Sequence, residues 1–190
     1  MATLEKTALL LMDFQEGVVA GIGDKRDLVV ANAKKTMDAC RGRGILIVHV
    51  RVAFSDQDYS SVPVRNKAFT PLAANRMLGD ASDAAAPIPE LAAEAGDISV
   101  VKTRFGSFST TNLDSHLRAR GIDTLILAGV STGGVVLSTV RDAADKDYRL
   151  YVLSDACADP DDTVHNILMS TVFVRQADVV TSSEFLQGPI

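Results

Sequence analysis

The stretch Thr124-Leu-Ile-Leu-Ala-Gly-Val-Ser-Thr-Gly-Gly-Val-Val136 decides the fold. It begins with a short apolar run, which is typical of a strand buried on both faces, and it leads into a helical pattern over 136–146. A tight turn of glycine and hydroxyl residues joins the two. Because the first N–H groups of a helix have no partner within the helix, such a turn is a common place for a reactive site.

The same alternation of strand and helix extends along the chain. Further strands are predicted at 7–12, 45–50, 98–101, 150–153 and 179–180, and further helices at 26–43, 110–120 and 161–174. Continuous apolar strands separated by helices predict a parallel sheet covered on both faces, and right-handed crossovers then give a doubly wound fold. The predicted fold class is α/β, a three-layer α/β/α arrangement around a six-stranded, mainly parallel, Rossmann-like sheet.

Length and composition limit the classes of function. With 190 residues, of which 47% are hydrophobic, the chain is predicted to form a single domain over 1–190. The net charge of -5 argues against nucleic acid or an anionic membrane as partner. No apolar run approaches the roughly 20 residues of a membrane-spanning helix. Two distant cysteines and a first strand close to Met1 predict a cytoplasmic protein.

Polar residues and the quoted turn follow the predicted strands. Asp13, Arg51 and Lys102 each come directly after an apolar run, and ligands of doubly wound folds bind outside the carboxyl ends of the strands. Asp13 is a candidate general acid or base, although it could also be a turn residue. Lys102 is a candidate to hold Asp13 ionised or to bind a substrate anion, and its simpler role is a solvated charge. Together, at adjacent strand ends, the two favour a functional site.

With these residues in this order, the chain resembles the isochorismatase-like hydrolase superfamily, also called the cysteine hydrolases, over about residues 7–186. Order and spacing carry the resemblance more than any single motif. The matching segments are Leu11-Met-Asp-Phe-Gln15, Lys102-Thr-Arg-Phe-Gly-Ser-Phe108, Gly129-Val-Ser-Thr132, Arg141-Asp-Ala-Ala144 and Leu153-Ser-Asp-Ala156.

The resemblance implies a role for several positions. Asp13 matches the catalytic aspartate, Lys102 matches the catalytic lysine, and the nucleophilic cysteine falls at Val135. It also implies a cis peptide between Val130 and Ser131, which aims backbone N–H groups at a developing oxyanion. The oxyanion turn is therefore predicted to include Val130, Ser131 and Gly134. The resemblance further implies a homo-oligomer. The long irregular segment 52–97 is predicted to be functional, either as a lid over the site or as a contact surface in the oligomer.

Val135 is the departure from the family pattern. Valine has no lone pair, so a covalent mechanism at this position is excluded. Isochorismatases resemble the chain in lacking this cysteine, and the resemblance implies direct protonation of a vinyl ether by the aspartate, which an apolar pocket favours by raising the pKa of Asp13. The sequence thus predicts a small-molecule hydrolase without a cysteine nucleophile. The alternative is a catalytically silent pseudoenzyme that binds a ligand or a protein on the same fold.

The remaining candidates concern the pocket and substitute nucleophiles. Ser131, Ser138 and Cys157 are weak candidates to replace the thiol, since a turn hydroxyl, a helix-face residue and a packed side chain describe them more simply. Arg51 could clamp a substrate carboxylate, or be a surface charge. The predicted substrate-binding residues are Gln15, Arg51, Phe54, Phe105 and Phe108.

No metal and no cofactor are predicted. The segment after the second strand contains no histidine, and His49, His116 and His165 fall in a predicted strand or in helices. The expected partner is a small-molecule substrate.

Overall fold

The computed structural model describes residues 4–188 and contains a six-stranded sheet in the order β3-β2-β1-β4-β5-β6. Every neighbouring pair of strands is parallel, which confirms the predicted fold class. The strand order reverses between β1 and β4, so the topological switch point lies between these two strands. The strands are β1 Thr7–Met12, β2 Leu46–Val52, β3 Ile98–Lys102, β4 Thr124–Val130, β5 Arg149–Ala158 and β6 Asp178–Val180.

Helices cover both faces of the sheet and fill the connections. The α-helices are α1 Glu16–Val19, α2 Arg26–Gly42, α3 Asp56–Ser61, α4 Phe69–Ala74, α5 Leu113–Arg118, α6 Leu137–Ala144, α7 Asp162–Ile167 and α8 Ser182–Gln187. Wide, π-helical turns occupy Thr132–Val136 and Leu168–Val172. Short 3-10 helices lie at Leu4–Lys6, Ala20–Lys25, Asp83–Ala85, Pro89–Leu91 and Phe173–Arg175.

Several predicted elements have different limits in the structure. β2 runs to Val52 and not to 50, and the predicted helix 110–120 is shortened to Leu113–Arg118. The predicted helix 161–174 is divided into α7, the wide turn Leu168–Val172 and the 3-10 helix Phe173–Arg175. β5 continues to Ala158, well past the predicted end at 153, because a register shift between Leu127 and Gly129 lets Cys157 and Ala158 pair with the end of β4. The predicted helix 136–146 starts one residue later, at Leu137, after the wide turn. The sheet edge around β4 is therefore more irregular than the apolar pattern indicates.

Apolar side chains form one core on each face of the sheet. Alternate residues of β1 enter the two cores, Leu10 with the side of α5 and α6 and Leu9 with the side of α2. A third, smaller cluster of Val52, Phe54, Tyr59 and Phe69 lies within the 52–97 segment. Among the residues that the structure describes, no helix is both long and apolar enough to cross a membrane.

Candidate active site

Asp13 follows β1 at the switch point in a conformation that few side chains adopt. Its φ is 57°, in the left-handed region, where aspartate and asparagine are tolerated better than other non-glycine residues. Its N–H donates to the carbonyl of Val50 at 2.8 Å, so β2 fixes the turn. The carboxyl group is thereby held at the end of the sheet, with 5% of the residue exposed.

Lys102 reaches Asp13 from a strand that is not its neighbour. β2 lies between β1 and β3, which corrects the expectation of adjacent strand ends. The long side chain spans this distance, and its Nζ donates to Asp13 Oδ2 at 2.8 Å and to the carbonyl of Arg104 at 3.1 Å. Lys102 is only 2% exposed, so the two charges form a buried ion pair.

The environment brings the pKa of Asp13 close to neutrality. Burial raises the pKa of its carboxyl to about 6, against the opposing effects of the Lys102 charge and hydrogen bond and of the nearby Val52 N–H. Asp13 Oδ1 is buried and has no hydrogen-bond partner among residues 4–188. A carboxyl group with a pKa near 6 and one uncommitted oxygen can carry a proton and deliver it.

The turn after β4 lies on the other side of the switch point. The Val130–Ser131 peptide is cis, as the resemblance implies. The Ser131 carbonyl accepts from the N–H groups of Gly134 and Val136, each at 3.2 Å. A Cβ at Gly134 would lie 2.8 Å from Ser131 Oγ, so a side chain there would have to displace the Ser131 hydroxyl. Since Gly134 N–H is already engaged, oxyanion binding by Val130, Ser131 and Gly134 stays a prediction.

The carboxylate of Asp159, which lies outside the turn, binds the beginning of the turn. Asp159 is buried, and its Oδ2 accepts from Gly133 N–H at 2.7 Å. The Thr132 hydroxyl lies 2.8 Å from His165 Nδ1, which ties the same turn to α7. No pattern in the sequence selects Asp159, because its partner is a backbone group that only the fold brings near.

Asp13, Lys102 and Val135 all line one cavity of about 170 Å³. Val135 is buried, and its side chain also packs in the core on the side of α5 and α6. The position that the resemblance assigns to the nucleophile therefore faces the ion pair. Most of the wall is apolar; its lining is Asp13, Val18, Val52, Phe69, Leu72, Leu78, Lys102, Arg104, Phe105, Val130, Ser131, Gly134 and Val135.

Of the five predicted substrate-binding residues, the structure brings Phe105 to this cavity. Gln15 is a buried connector instead. Its amide nitrogen donates to the carbonyls of Val52 and Ala85 at 2.9 and 2.8 Å, and its amide oxygen accepts from Val52 N–H at 2.8 Å. These bonds join β2 to the far end of the 52–97 segment.

The other three predicted binding residues lie outside this cavity. Arg51 is inside β2 and forms an ion pair with Asp80. Phe54 is buried and stacks on Tyr59, with ring centres 5.3 Å apart. Phe108 is in the core beside Tyr148. Phe69, Leu72 and Leu78, all from the 52–97 segment, line the cavity instead, so that segment forms part of its wall.

The three candidate substitute nucleophiles differ in their position relative to the cavity that contains Asp13. Ser131 lines the cavity, whereas Ser138 packs against Gly106 and does not contribute to the lining. Cys157 is buried, its Sγ lies 3.8 Å from the Leu127 carbonyl, and burial raises the pKa of its thiol to about 12. It lines a different cavity, next to His165.

No group of three or more potential metal ligands comes together within residues 4–188. His49 pairs with Asp97 at 3.0 Å, and burial lowers the pKa of both His49 and His165. These histidines are engaged with protein groups, and the expectation of a metal-free site stays a prediction.

Sheet order, buried aspartate–lysine pair and cis-peptide turn together define an isochorismatase-like protein. The family profile of the isochorismatase domain matches residues 7–184, and the chain belongs to the isochorismatase family. It is 35% identical over 184 residues to the uncharacterized isochorismatase family protein YwoC of Bacillus subtilis (strain 168), covering 96% of this chain and 94% of that protein.

Two further similarities extend this result. Ureidoacrylate amidohydrolase RutB of Agrobacterium fabrum (strain C58 / ATCC 33970) is 33% identical over 168 residues, which cover 82% of this chain and 69% of RutB. The crystal structure of a cysteine hydrolase from Pseudomonas syringae pv. phaseolicola 1448A superimposes with a TM-score of 0.89 at 24% identity, over 98% of this chain and 93% of that chain. The latter similarity shows the shared fold.

Proposed function

We propose that this protein is a small-molecule hydrolase that acts without a cysteine nucleophile, with Asp13 as general acid and Lys102 as its electrostatic partner. The observation that carries the proposal is the shared cavity: the buried Asp13–Lys102 pair lines it together with Val135, the position that the resemblance assigns to the nucleophilic cysteine. Cys40 and Cys157, the cysteines of the chain, are both buried, and burial raises the pKa of each thiol to about 12.

Hydrolysis of a vinyl ether fits this arrangement. Protonated Asp13 donates its proton to the terminal carbon of the double bond, and the ether carbon becomes an oxocarbenium ion. Water adds to that carbon and returns a proton to Asp13, and the resulting hemiketal breaks down to a carbonyl compound and an alcohol. The reaction consumes one water and needs no covalent intermediate, so Val135 does not obstruct it.

Lys102 supports both halves of this cycle. Once Asp13 has given up its proton, the ammonium group at 2.8 Å stabilises the carboxylate, which burial would otherwise disfavour. Without this cation, burial would raise the pKa of Asp13 further, and the carboxyl group would release its proton less readily. The relationship to RutB, an amidohydrolase, keeps a related C–N bond as an alternative substrate bond.

Kinetics of Asp13→Asn and of the wild type across pH 5–8 test the proposal. With a panel of small vinyl ethers, we expect Asp13→Asn to lower kcat/KM by roughly 10²- to 10⁴-fold, because asparagine cannot donate the proton. In the wild type, kcat/KM should fall as the pH rises through about 6, where Asp13 loses its proton. Asp162→Asn, an exposed carboxylate on α7, serves as control and should retain activity.

Two outcomes contradict the mechanism. Retained activity in Asp13→Asn removes Asp13 from the reaction. A rate that rises through pH 6 shows that the ionised form is active, which is the behaviour of a general base.

A pseudoenzyme that binds a ligand in the same cavity is the second candidate, and Val135 is the observation that favours it. The same panel distinguishes the two. Ligands that bind to the wild type without turnover at any pH between 5 and 8 support the pseudoenzyme. In that case Asp13→Asn should change affinity alone.

A further inference from the structure

Arg104 presents an unused cationic group at the cavity. It follows Lys102 by two residues, is half-buried and contributes to the lining. Its Nη1 donates to the carbonyl of Thr103 at 2.5 Å, and its Cζ lies 5.4 Å from the centre of the Phe69 ring. Across residues 4–188, the guanidinium makes no further hydrogen bond and no ion pair. Most of its five N–H donors therefore remain available.

Several other arginines are neutralised by carboxylates. These pairs are Arg26 with Glu90, Arg41 with Asp97, Arg51 with Asp80, and Arg76 with Asp56. The hydrogen bonds from Ser55 are the main reason why the pKa of Asp58 is lowered, and the charge of Arg104 lowers it only slightly. Asp58 is thus already committed to capping α3.

Lys102 is the other cation among the described lining residues, and unlike Arg104 it is already engaged by protein groups. The Lys102 ammonium is engaged by Asp13 Oδ2 and by the carbonyl of Arg104. A ligand anion entering this cavity therefore meets Arg104 as its strongest unpaired partner. The planar guanidinium also matches a carboxylate, because two parallel N–H groups can bind both oxygens at once.

The rest of the wall defines the remainder of the ligand. Phe69 and Phe105 meet edge to face with centres 4.9 Å apart, and Leu72, Leu78 and Val52 continue the apolar surface. Such a wall favours hydrocarbon or aromatic groups and offers little to a sugar or a polyphosphate.

We infer that Arg104 binds the carboxylate of the substrate, and that the substrate is a small carboxylic acid with an apolar body. The inference rests on the proposed function in one respect, namely that the cavity containing Asp13 is the substrate site. Arg104 anchors the acid end at Phe69, and the apolar body extends along Phe105 towards Asp13. Arg51, the sequence-based candidate for this role, has Asp80 as its carboxylate partner.

Equilibrium binding tests the inference without any need for turnover. The probes are three carboxylates, benzoate, crotonate and 3-phenylpropionate, each compared with its neutral primary amide by isothermal titration calorimetry. We expect the wild type to prefer at least one carboxylate over its amide by about tenfold or more, as a charge-assisted bidentate pair provides. Arg104→Gln should abolish that preference and leave amide binding unchanged, and Arg104→Lys should restore part of it.

Arg51→Gln is the matched control, because it removes an arginine outside the cavity and should leave the preference intact. Thermal melting of each variant shows whether loss of the Arg104–Phe69 contact has unfolded the protein. The inference is overturned if no carboxylate is preferred over its amide by the wild type, or if Arg104→Gln weakens acid and amide equally. The two proposals fail in different measurements: the Asp13 mechanism fails if Asp13→Asn keeps its turnover, whereas the preference for the acid is measured by binding at equilibrium and needs no turnover.

Discussion

Lys102 shows how a single buried side chain can set both the stability and the chemistry of a site. Its ammonium is nearly inaccessible to solvent, so it depends on Asp13 for compensation, and Asp13 depends on it in turn. Either residue alone would be an uncompensated charge at the end of the sheet. The pair is therefore expected to respond to pH as a unit.

Lys102→Met should destabilise the protein, and the loss should grow with pH. The folded pKa of Asp13 is already raised, from 3.8 to about 6, so its ionisation lowers stability as the pH rises through that range. Removing Lys102 removes the two largest effects that lower this pKa, its charge and its hydrogen bond, so ionisation of Asp13 becomes more costly still. We expect a loss of about 3–5 kcal/mol at pH 8 and a smaller loss at pH 5, where Asp13 can stay neutral.

Urea denaturation at both pH values measures this difference, with the exposed Lys34→Met as control. Equal losses at pH 5 and pH 8 would show that packing of the lysine stem, and not its charge, is what matters.

At this scale the sequence predicts the ion pair but not the complete pocket. Asp13 and Lys102 stand out because charged residues directly after apolar strands are informative. The position of Arg51 is misleading, since β2 continues to Val52 and the pleat directs Arg51 towards Asp80. Arg104 follows β3 in a loop, where no periodicity indicates the direction of a side chain.

The end of β4 is the element on which the site geometry depends. Gly129 pairs with Met12, the residue directly before Asp13, and a Cβ at Gly129 would lie 2.8 Å from the Met12 carbonyl and 2.9 Å from its Cβ. Absence of a side chain at Gly129 thus allows β1 and β4 to approach at the switch point.

Gly129→Ala should destabilise the fold and reduce activity together. The new methyl group must displace the end of β1, at a cost of about 1–3 kcal/mol typical of overpacking, and it shifts Asp13 relative to the turn. Gly42→Ala in α2 is the control, because nothing lies within 4 Å of the place its new methyl group would take and alanine favours a helix. Thermal unfolding and kcat measure the two effects; a neutral Gly129→Ala would mean that β1 and β4 can separate freely.

Strand and helix order could be predicted from the apolar pattern, whereas the irregular elements could not. The wide turn Thr132–Val136 is held by Asp159 and His165, which lie 26 and 33 residues away from their partners. The extension of β5 depends on a register shift in β4. Both arise from contacts between distant segments, which local sequence does not report.

Over the whole molecule, the 52–97 segment offers a surface for self-association. Val64 is 91% exposed and Met77 is 54% exposed, although both are large and apolar. We therefore propose, with the family resemblance, that the chain assembles into a homo-oligomer.

Light scattering should give a mass of at least two chains, that is, two or more times 20.2 kDa. The double variant Val64→Ser/Met77→Ser should lower that mass, because it removes apolar area from the interface. Leu28→Ser, at an exposed apolar position on α2, should not. A monomeric wild type, or a double variant with unchanged mass, contradicts this use of the segment.

Two sets of hydrogen bonds join the beginning of the 52–97 segment to its later part, so the loop between them is anchored independently of the site beneath. Phe54 exchanges backbone hydrogen bonds with Leu78 and Asp80 at 3.0 Å, and Gln15 fastens Val52 to Ala85 just below. Doubling the loop between these fastenings would cost only about 0.6 kcal/mol in closure entropy. We therefore expect that residues 55–77 can be exchanged or lengthened, with a change in the apolar wall that Phe69 and Leu72 provide, while the Asp13–Lys102 pair keeps its geometry.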